Sequence, residues 1–135
     1  MAGRPEVHPI DAQVRAAKAV VENLRPADLA AELEAGEVVL VDVRGPDELW
    51  RGMISGAISV PRGILERVAS PDRDVGPSAL DPRRRVVVYS EHGSRSALVV
   101  HALYSLGYRD VAHLDGGVTA WMADGRTVVA PAGAE

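Results

Sequence analysis

Two runs of mostly β-branched residues, Val38-Val39-Leu40-Val41-Asp42-Val43 and Val86-Val87-Val88-Tyr89, contain almost no polar position. A strand with one wet face alternates between apolar and polar residues, whereas a run apolar throughout is covered on both faces. Val111 to Leu114, closed by Asp115-Gly116-Gly117, reads as a third such strand. Ala57-Ile58-Ser59-Val60, stopped by Pro61, and Val20-Val21 ahead of Asn23-Leu24 read as shorter ones. Between these runs the apolar spacing becomes helical. Asp11 to about Ala19 is predicted as a helix capped by its aspartate. Pro26 to Ala35 follows, with Pro at its start and Gly36 just past its end, the usual asymmetry of helix termini. A helical turn is expected over Pro46 to Arg51, a helix apolar almost all round over Ser94 to Leu106, and a last one from Val118 to about Ala123. The stretch Pro71 to Pro82, rich in Pro, Asp and Gly, reads as a surface connection.

Covered strands alternating with helices specify the α/β class: a central, mainly parallel sheet of five strands flanked by helices on both faces, with right-handed crossovers. Residues 1–25 are expected to form an N-terminal helical extension and short strand packed on the domain, and residues 26–130 a single domain. Ligands of such sheets bind beyond the carboxyl ends of the strands, which directs attention to the loop after Tyr89.

Composition narrows the function. The chain has 135 residues, 47% hydrophobic and 25% charged, with 15 basic against 19 acidic side chains and a net charge of −4. That is a globular composition with no polyanion-binding excess. With no Phe, two Trp and three Tyr, a base-stacking nucleic-acid platform is not expected. The one basic run, Arg83-Arg84-Arg85, precedes an apolar strand and reads as its solvated entrance. Apolar stretches fall short of the ~18 residues of a membrane span, and the N-terminus lacks the apolar core of a secretory signal, so a cytoplasmic protein is expected. There is no cysteine, which excludes disulfides, thiolate metal sites and a thiol nucleophile. His8, His101 and His113 are scattered without a carboxylate at ligand spacing, so neither a metal nor another cofactor is expected.

The candidate site is Tyr89-Ser90-Glu91-His92-Gly93-Ser94-Arg95-Ser96, which passes directly from a covered strand into a helix. A glycine-containing turn of this kind aims successive backbone N–H groups into one concavity, suited to an anion or an ionised side chain. Position 90 sits at its focus. An ordinary strand-to-helix turn capped by Ser and Gly is the alternative.

This loop resembles the active-site loop of the rhodanese family, with its Gly-x-Arg-Ser turn at Gly93 to Ser96. Two further segments carry the resemblance. Leu40-Val41-Asp42-Val43-Arg44, continuing through Glu48 and Gly52-Met53-Ile54-Ser55-Gly56-Ala57, is similar to the family's Asp-x-Arg and Gly-His-Ile-x-Gly-Ala elements. Leu114-Asp115-Gly116-Gly117-Val118-Thr119-Ala120-Trp121 is similar to its Gly-Gly…Trp signature. The resemblance implies a rhodanese-like fold and transfer of sulfane sulfur, from thiosulfate or a similar donor to a thiol or cyanide, through a cysteine persulfide. Met53 replaces the family's histidine at a position read as structural. Ser90 replaces the nucleophilic cysteine. A hydroxyl needs a dedicated base, and an oxygen cannot carry the persulfide, so the chain as written is expected to be inactive. It is either a silent member of the family, a non-catalytic anion- or protein-binding module, or a protein whose cysteine has been exchanged for serine.

Arg95, in the first turn of a helix, opposes the helix dipole and is read as an anion-attracting residue. Glu91 and His92 line the loop with Gly93 and Ser94. Arg44 and Glu48, four residues apart, are expected to pair, Asp42 to shape the pocket floor, and Trp121 to pack in the core or form a pocket wall. The expected partners are a small sulfur-containing anion or a protein thiol or persulfide, with no nucleic acid and no membrane, in a monomer or weak homodimer.

Overall fold

A computed structural model describes residues 9–63, 65 and 80–131, and in it the first helix is longer than the spacing predicts. Helix α1 spans Pro9–Val20, so Val20 ends a helix and strand β1 is Glu22–Leu24. The strand expected at Val20-Val21 is displaced because Ala17 and Val21 are buried, Val21 among apolar side chains that include Val99, Val100 and Leu103, which leaves Val20 exposed. Helix α2 is Pro26–Ala35, β2 Val39–Asp42, α3 Pro46–Leu49 and β3 Ile58–Ser59. Then follow β4 (Val86–Tyr89), helix α4 (Ser94–Ser105), β5 (Val111–Leu114) and a final helix, α5 (Gly117–Ala123). The surface connection expected over Pro71 to Pro82 lies, as far as residue 79, outside the described residues.

The five strands form one sheet in the order β1-β5-β4-β2-β3, and every pairing is parallel. All four residues of β2, β4 and β5 are buried, as their unbroken apolar patterns require. Alternation then divides each strand between two cores. Val39, Val41, Val86, Val88 and Val111 pack with Val99, Val100 and Leu103 of α4. Leu40, Val87, Tyr89, Ala112 and Leu114 pack on the other side with Leu29 of α2 and with Val118 and Trp121 of α5. Helix α4 is one-sided: it buries Ser96, Ala97, Val99, Val100 and Leu103 and exposes His101.

Only part of the Arg83-Arg84-Arg85 run is the solvated entrance expected. Arg83 is exposed and pairs with Asp81 at 2.9 Å. Arg85 is instead a clamp at the sheet's amino edge, bonded to Glu22 at 2.7 Å, Glu32 at 2.8 Å and Asp110 at 3.0 Å. It ties β1 and α2 to the segment before β5. No helix among the described residues is long and apolar enough to cross a membrane.

Candidate active site

Register brings the loop and the end of β2 together. Asp42 pairs with Tyr89 across the β2–β4 ladder, and the Val43 amide donates to the Tyr89 carbonyl at 3.1 Å. Ser90 follows at the tip of β4 and is 1% exposed.

The loop is shaped by two glycines. Gly93, at φ +97°, precedes α4; a Cβ there would sit 2.9 Å from the Gly116 nitrogen. Gly117, at φ +66°, lies directly beneath the loop; a Cβ there would sit 2.5 Å from the Ser90 carbonyl oxygen and overlap Glu91. Because Gly117 has no side chain, α5 starts against the loop backbone. Val118 N–H donates to the Ser90 carbonyl at 3.0 Å and Thr119 N–H to that of Glu91 at 3.1 Å.

The Ser90 hydroxyl occupies the focus of the turn. Its Oγ accepts hydrogen bonds from the backbone N–H groups of Gly93 and Ser96, each at 3.2 Å, and donates to Ser96 Oγ at 3.3 Å. An oxygen with two accepted bonds and one donated is fully coordinated. Two of the amides expected to be open to an added anion are therefore taken. Those of Glu91, His92, Ser94 and Arg95 find no backbone or side-chain acceptor among the described residues.

The charged residues are arranged differently from the sequence expectation. Arg44 does not pair with the Glu48 carboxylate. Its side chain is buried, held at 2.8 Å by Asp42 Oδ2, which a second bond from Nε to each carboxylate oxygen reinforces. It also donates to the Gly52 carbonyl at 2.6 Å, to the Glu48 backbone carbonyl at 3.3 Å and to Glu91 Oε1 at 3.2 Å. Two residues apart on an extended chain, Asp42 and Arg44 point to the same side, whereas α3 turns the Glu48 side chain away. Asp42 thus acts on the loop through Arg44, which grips Glu91.

Glu48 reaches Arg95 instead, with both oxygens, at 2.7 and 2.5 Å. The arginine expected to await an anion already holds a carboxylate. Hydrogen bonds from Arg95 lower the Glu48 pKa to about 2, against the smaller opposing effect of burial. His92 is exposed, its Nδ1 3.3 Å from Thr119 Oγ1. Trp121 belongs to the core; its indole N–H donates to the Thr127 carbonyl at 2.9 Å, and none of its hydrogen bonds reaches the loop.

His113, set aside on sequence, lies beneath the site. Its Nδ1 is 3.0 Å from Ser96 Oγ and its Nε2 2.7 Å from Asn23 Oδ1. The usable signal was parity: in β5, His113 faces away from Ala112 and Leu114, toward the side covered by α4. Without the β4–β5 adjacency, that parity does not lead to Ser96.

The sequence matches the rhodanese-like domain family over residues 25–124. The chain belongs to the rhodanese-like domain family. A sulfurtransferase of Allochromatium vinosum is 35% identical over 97 residues, covering 72% of this chain and 83% of that protein. A thiosulfate sulfurtransferase of Pseudomonas aeruginosa is 32% identical over 126 residues, covering 82% of this chain and 46% of the enzyme, so this rhodanese-like chain spans just under half of that relative. Among solved structures, a protein of unknown function from Rhodopseudomonas palustris, described as a possible tyrosine phosphatase, superimposes with a TM-score of 0.83 at 33% identity over 94% of this chain and all of that one. The similarity reaches beyond residues 25–124, so it takes in at least part of the flanking segments as well as the rhodanese-like core.

Proposed function

We propose that this chain, with serine at position 90, is a rhodanese-like module that docks a small sulfur-containing anion or a persulfide-bearing protein at residues 90–95 and does not itself carry sulfur. The observation behind this reading is the coordination of Ser90 Oγ: it stands at the focus of the loop, where the family's thiol would be, with both lone pairs engaged by Gly93 and Ser96. Attack on a sulfane sulfur requires a lone pair on a polarisable nucleophile that afterwards holds the sulfur as a persulfide. A hydrogen-bonded hydroxyl offers neither. The four remaining loop amides and the amino end of α4 supply the anion-accepting surface, and the name of the Pseudomonas relative makes thiosulfate the first ligand to try.

Two measurements test the reading. In a cyanide-dependent thiocyanate assay the Ser90 protein is expected to show no turnover and Ser90→Cys to gain it; turnover by the Ser90 protein overturns the argument. In a thiosulfate titration followed by amide NMR, shifts are expected at residues 90–96 and to weaken with salt. Shifts confined to another surface overturn the assignment of the site.

A further inference from the structure

Beneath the loop lies a hydrogen-bond chain that sulfur transfer, as outlined, does not use. It runs from Ser90 Oγ to Ser96 Oγ at 3.3 Å, on to His113 Nδ1 at 3.0 Å, and from His113 Nε2 to Asn23 Oδ1 at 2.7 Å. It joins the tip of β4, the first turn of α4, β5 and β1. Ser90, Ser96 and His113 are all at most 1% exposed.

The donor and acceptor roles along this chain follow from its far end. Asn23 Nδ2 donates to the carbonyls of Lys18 at 2.9 Å and Val21 at 3.0 Å. Both amide protons are thereby engaged, so the atom facing His113 is the carbonyl oxygen, and His113 Nε2 must carry the proton. Burial, the main influence, pushes the imidazole pKa down to about 4; Asp115 raises it and Lys18 lowers it, and those two are themselves paired at 2.6 Å. The ring is therefore neutral at pH 7, and Nδ1 presents a lone pair to Ser96. Ser96 has one hydroxyl proton and two acceptors in reach, His113 Nδ1 and the Gly93 carbonyl at 3.2 Å. Gly93 already accepts from Ala97 N–H, whereas a buried Nδ1 without Ser96 has no donor. The Ser96 proton goes to His113. Its oxygen then shows position 90 a lone pair.

The geometry points to Asn23, His113 and Ser96 as a positioning relay of fixed polarity that demands a hydrogen-bond donor at residue 90, and so holds a neutral hydroxyl there and resists an ionised side chain. Ser90 satisfies that demand with its own proton. A thiolate at the same place would meet two favourable amides and one opposing oxygen lone pair, so the relay works against the ionisation that sulfur chemistry needs. This deepens the proposed function, since it rests on residue 90 being the family's nucleophile position. The test reads an ionisation constant and not sulfur transfer, so the two ideas can fail separately.

The experiment compares Ser90→Cys with Ser90→Cys/His113→Leu. Without His113 the Ser96 hydroxyl is left with the Gly93 carbonyl, which already accepts from Ala97 N–H, and the sulfur; an ionised sulfur is the stronger acceptor, so the thiol pKa, taken from the pH dependence of iodoacetamide alkylation, is expected to fall by about one unit. That corresponds to a roughly tenfold larger thiolate fraction at a pH below both values, and, since a less basic thiolate is a weaker nucleophile, to a roughly threefold faster reaction. The described charged groups around the site, Arg44 with Asp42 and Glu91, Arg95 with Glu48, and Lys18 with Asp115, are common to both variants. An unchanged or raised pKa overturns the proposal, a rise meaning that the relay stabilises the thiolate. Should the double variant fail to fold, nitrogen-15 NMR of the Ser90 protein reads the polarity directly. Protonated Nε2 and bare Nδ1 between pH 5 and 8 are expected, and a proton on Nδ1 overturns the relay.

Discussion

Glu48 and Arg95 are joined by a two-oxygen ion pair at the end of the loop, although 47 residues separate them in the chain. Any anion that uses Arg95 competes with a resident carboxylate. Around the loop three carboxylates, those of Asp42, Glu91 and Glu48, face two guanidinium groups, those of Arg44 and Arg95. Glu48→Gln is therefore expected to strengthen thiosulfate binding several-fold in an NMR titration, and Arg95→Ala to weaken it. The pair is partly exposed, so Glu48→Gln should cost under about 1 kcal/mol of stability. Weaker binding by Glu48→Gln would mean that Glu48 orients Arg95 for the ligand instead of competing with it.

Stability should fall on the acid side in two windows. The folded His113 pKa is pushed down to about 4, below the unfolded value near 6.5. Between those values the unfolded chain binds a proton that the native chain does not. Stability therefore rises with pH through this window and is lost as pH falls from about 6.5 to 4, by on the order of 3 kcal/mol. Glu48, lowered to about 2, adds a second loss from about 4.5 downward. Urea midpoints at pH 7, 5.5 and 4 check the first window, and His113→Gln should flatten it.

Asp42→Asn should be costly. The Arg44 guanidinium is buried, and its carboxylate partner holds it by three side-chain bonds, more than any other group among the described residues. Removing one partner of a buried ion pair typically costs about 3–5 kcal/mol. Glu91 should also loosen, because Arg44 is its anchor. A loss under about 1 kcal/mol in urea denaturation would mean that water or Glu91 already compensates Arg44.

Gly117→Ala separates steric contact from backbone strain. Its Cβ would press on the Ser90 and Glu91 carbonyls at a positive φ, whereas Gly36, at φ +80°, has nothing within 4 Å of the same added atom. Gly36→Ala should cost about 1 kcal/mol through strain alone. Gly117→Ala should cost clearly more and shift the loop amides in NMR, which Gly36→Ala should not. Equal costs would show that α5 yields at little expense.

Local pattern determined the α/β class, the covered strands and the loop at the end of β4, because burial on both faces and turn chemistry are written into consecutive residues. The strand Val111–Leu114 and the helix Pro26–Ala35 fall where the pattern places them. Boundaries at the amino end were less legible: Val20-Val21 is β-branched, yet packing of Ala17 and Val21 keeps Val20 helical. Side-chain partners depended on tertiary structure. Spacing suggested Arg44 with Glu48, but the ladder and the turn of α3 give Arg44 to Asp42 and Glu91, and Glu48 to Arg95. His113 and Asn23, 90 residues apart, meet only because β1 and β5 are neighbours in the sheet. A chain encodes its local conformational preferences in adjacent residues, but which distant donor faces which acceptor is set by strand order and register, and that order decides what residue 90 is asked to do.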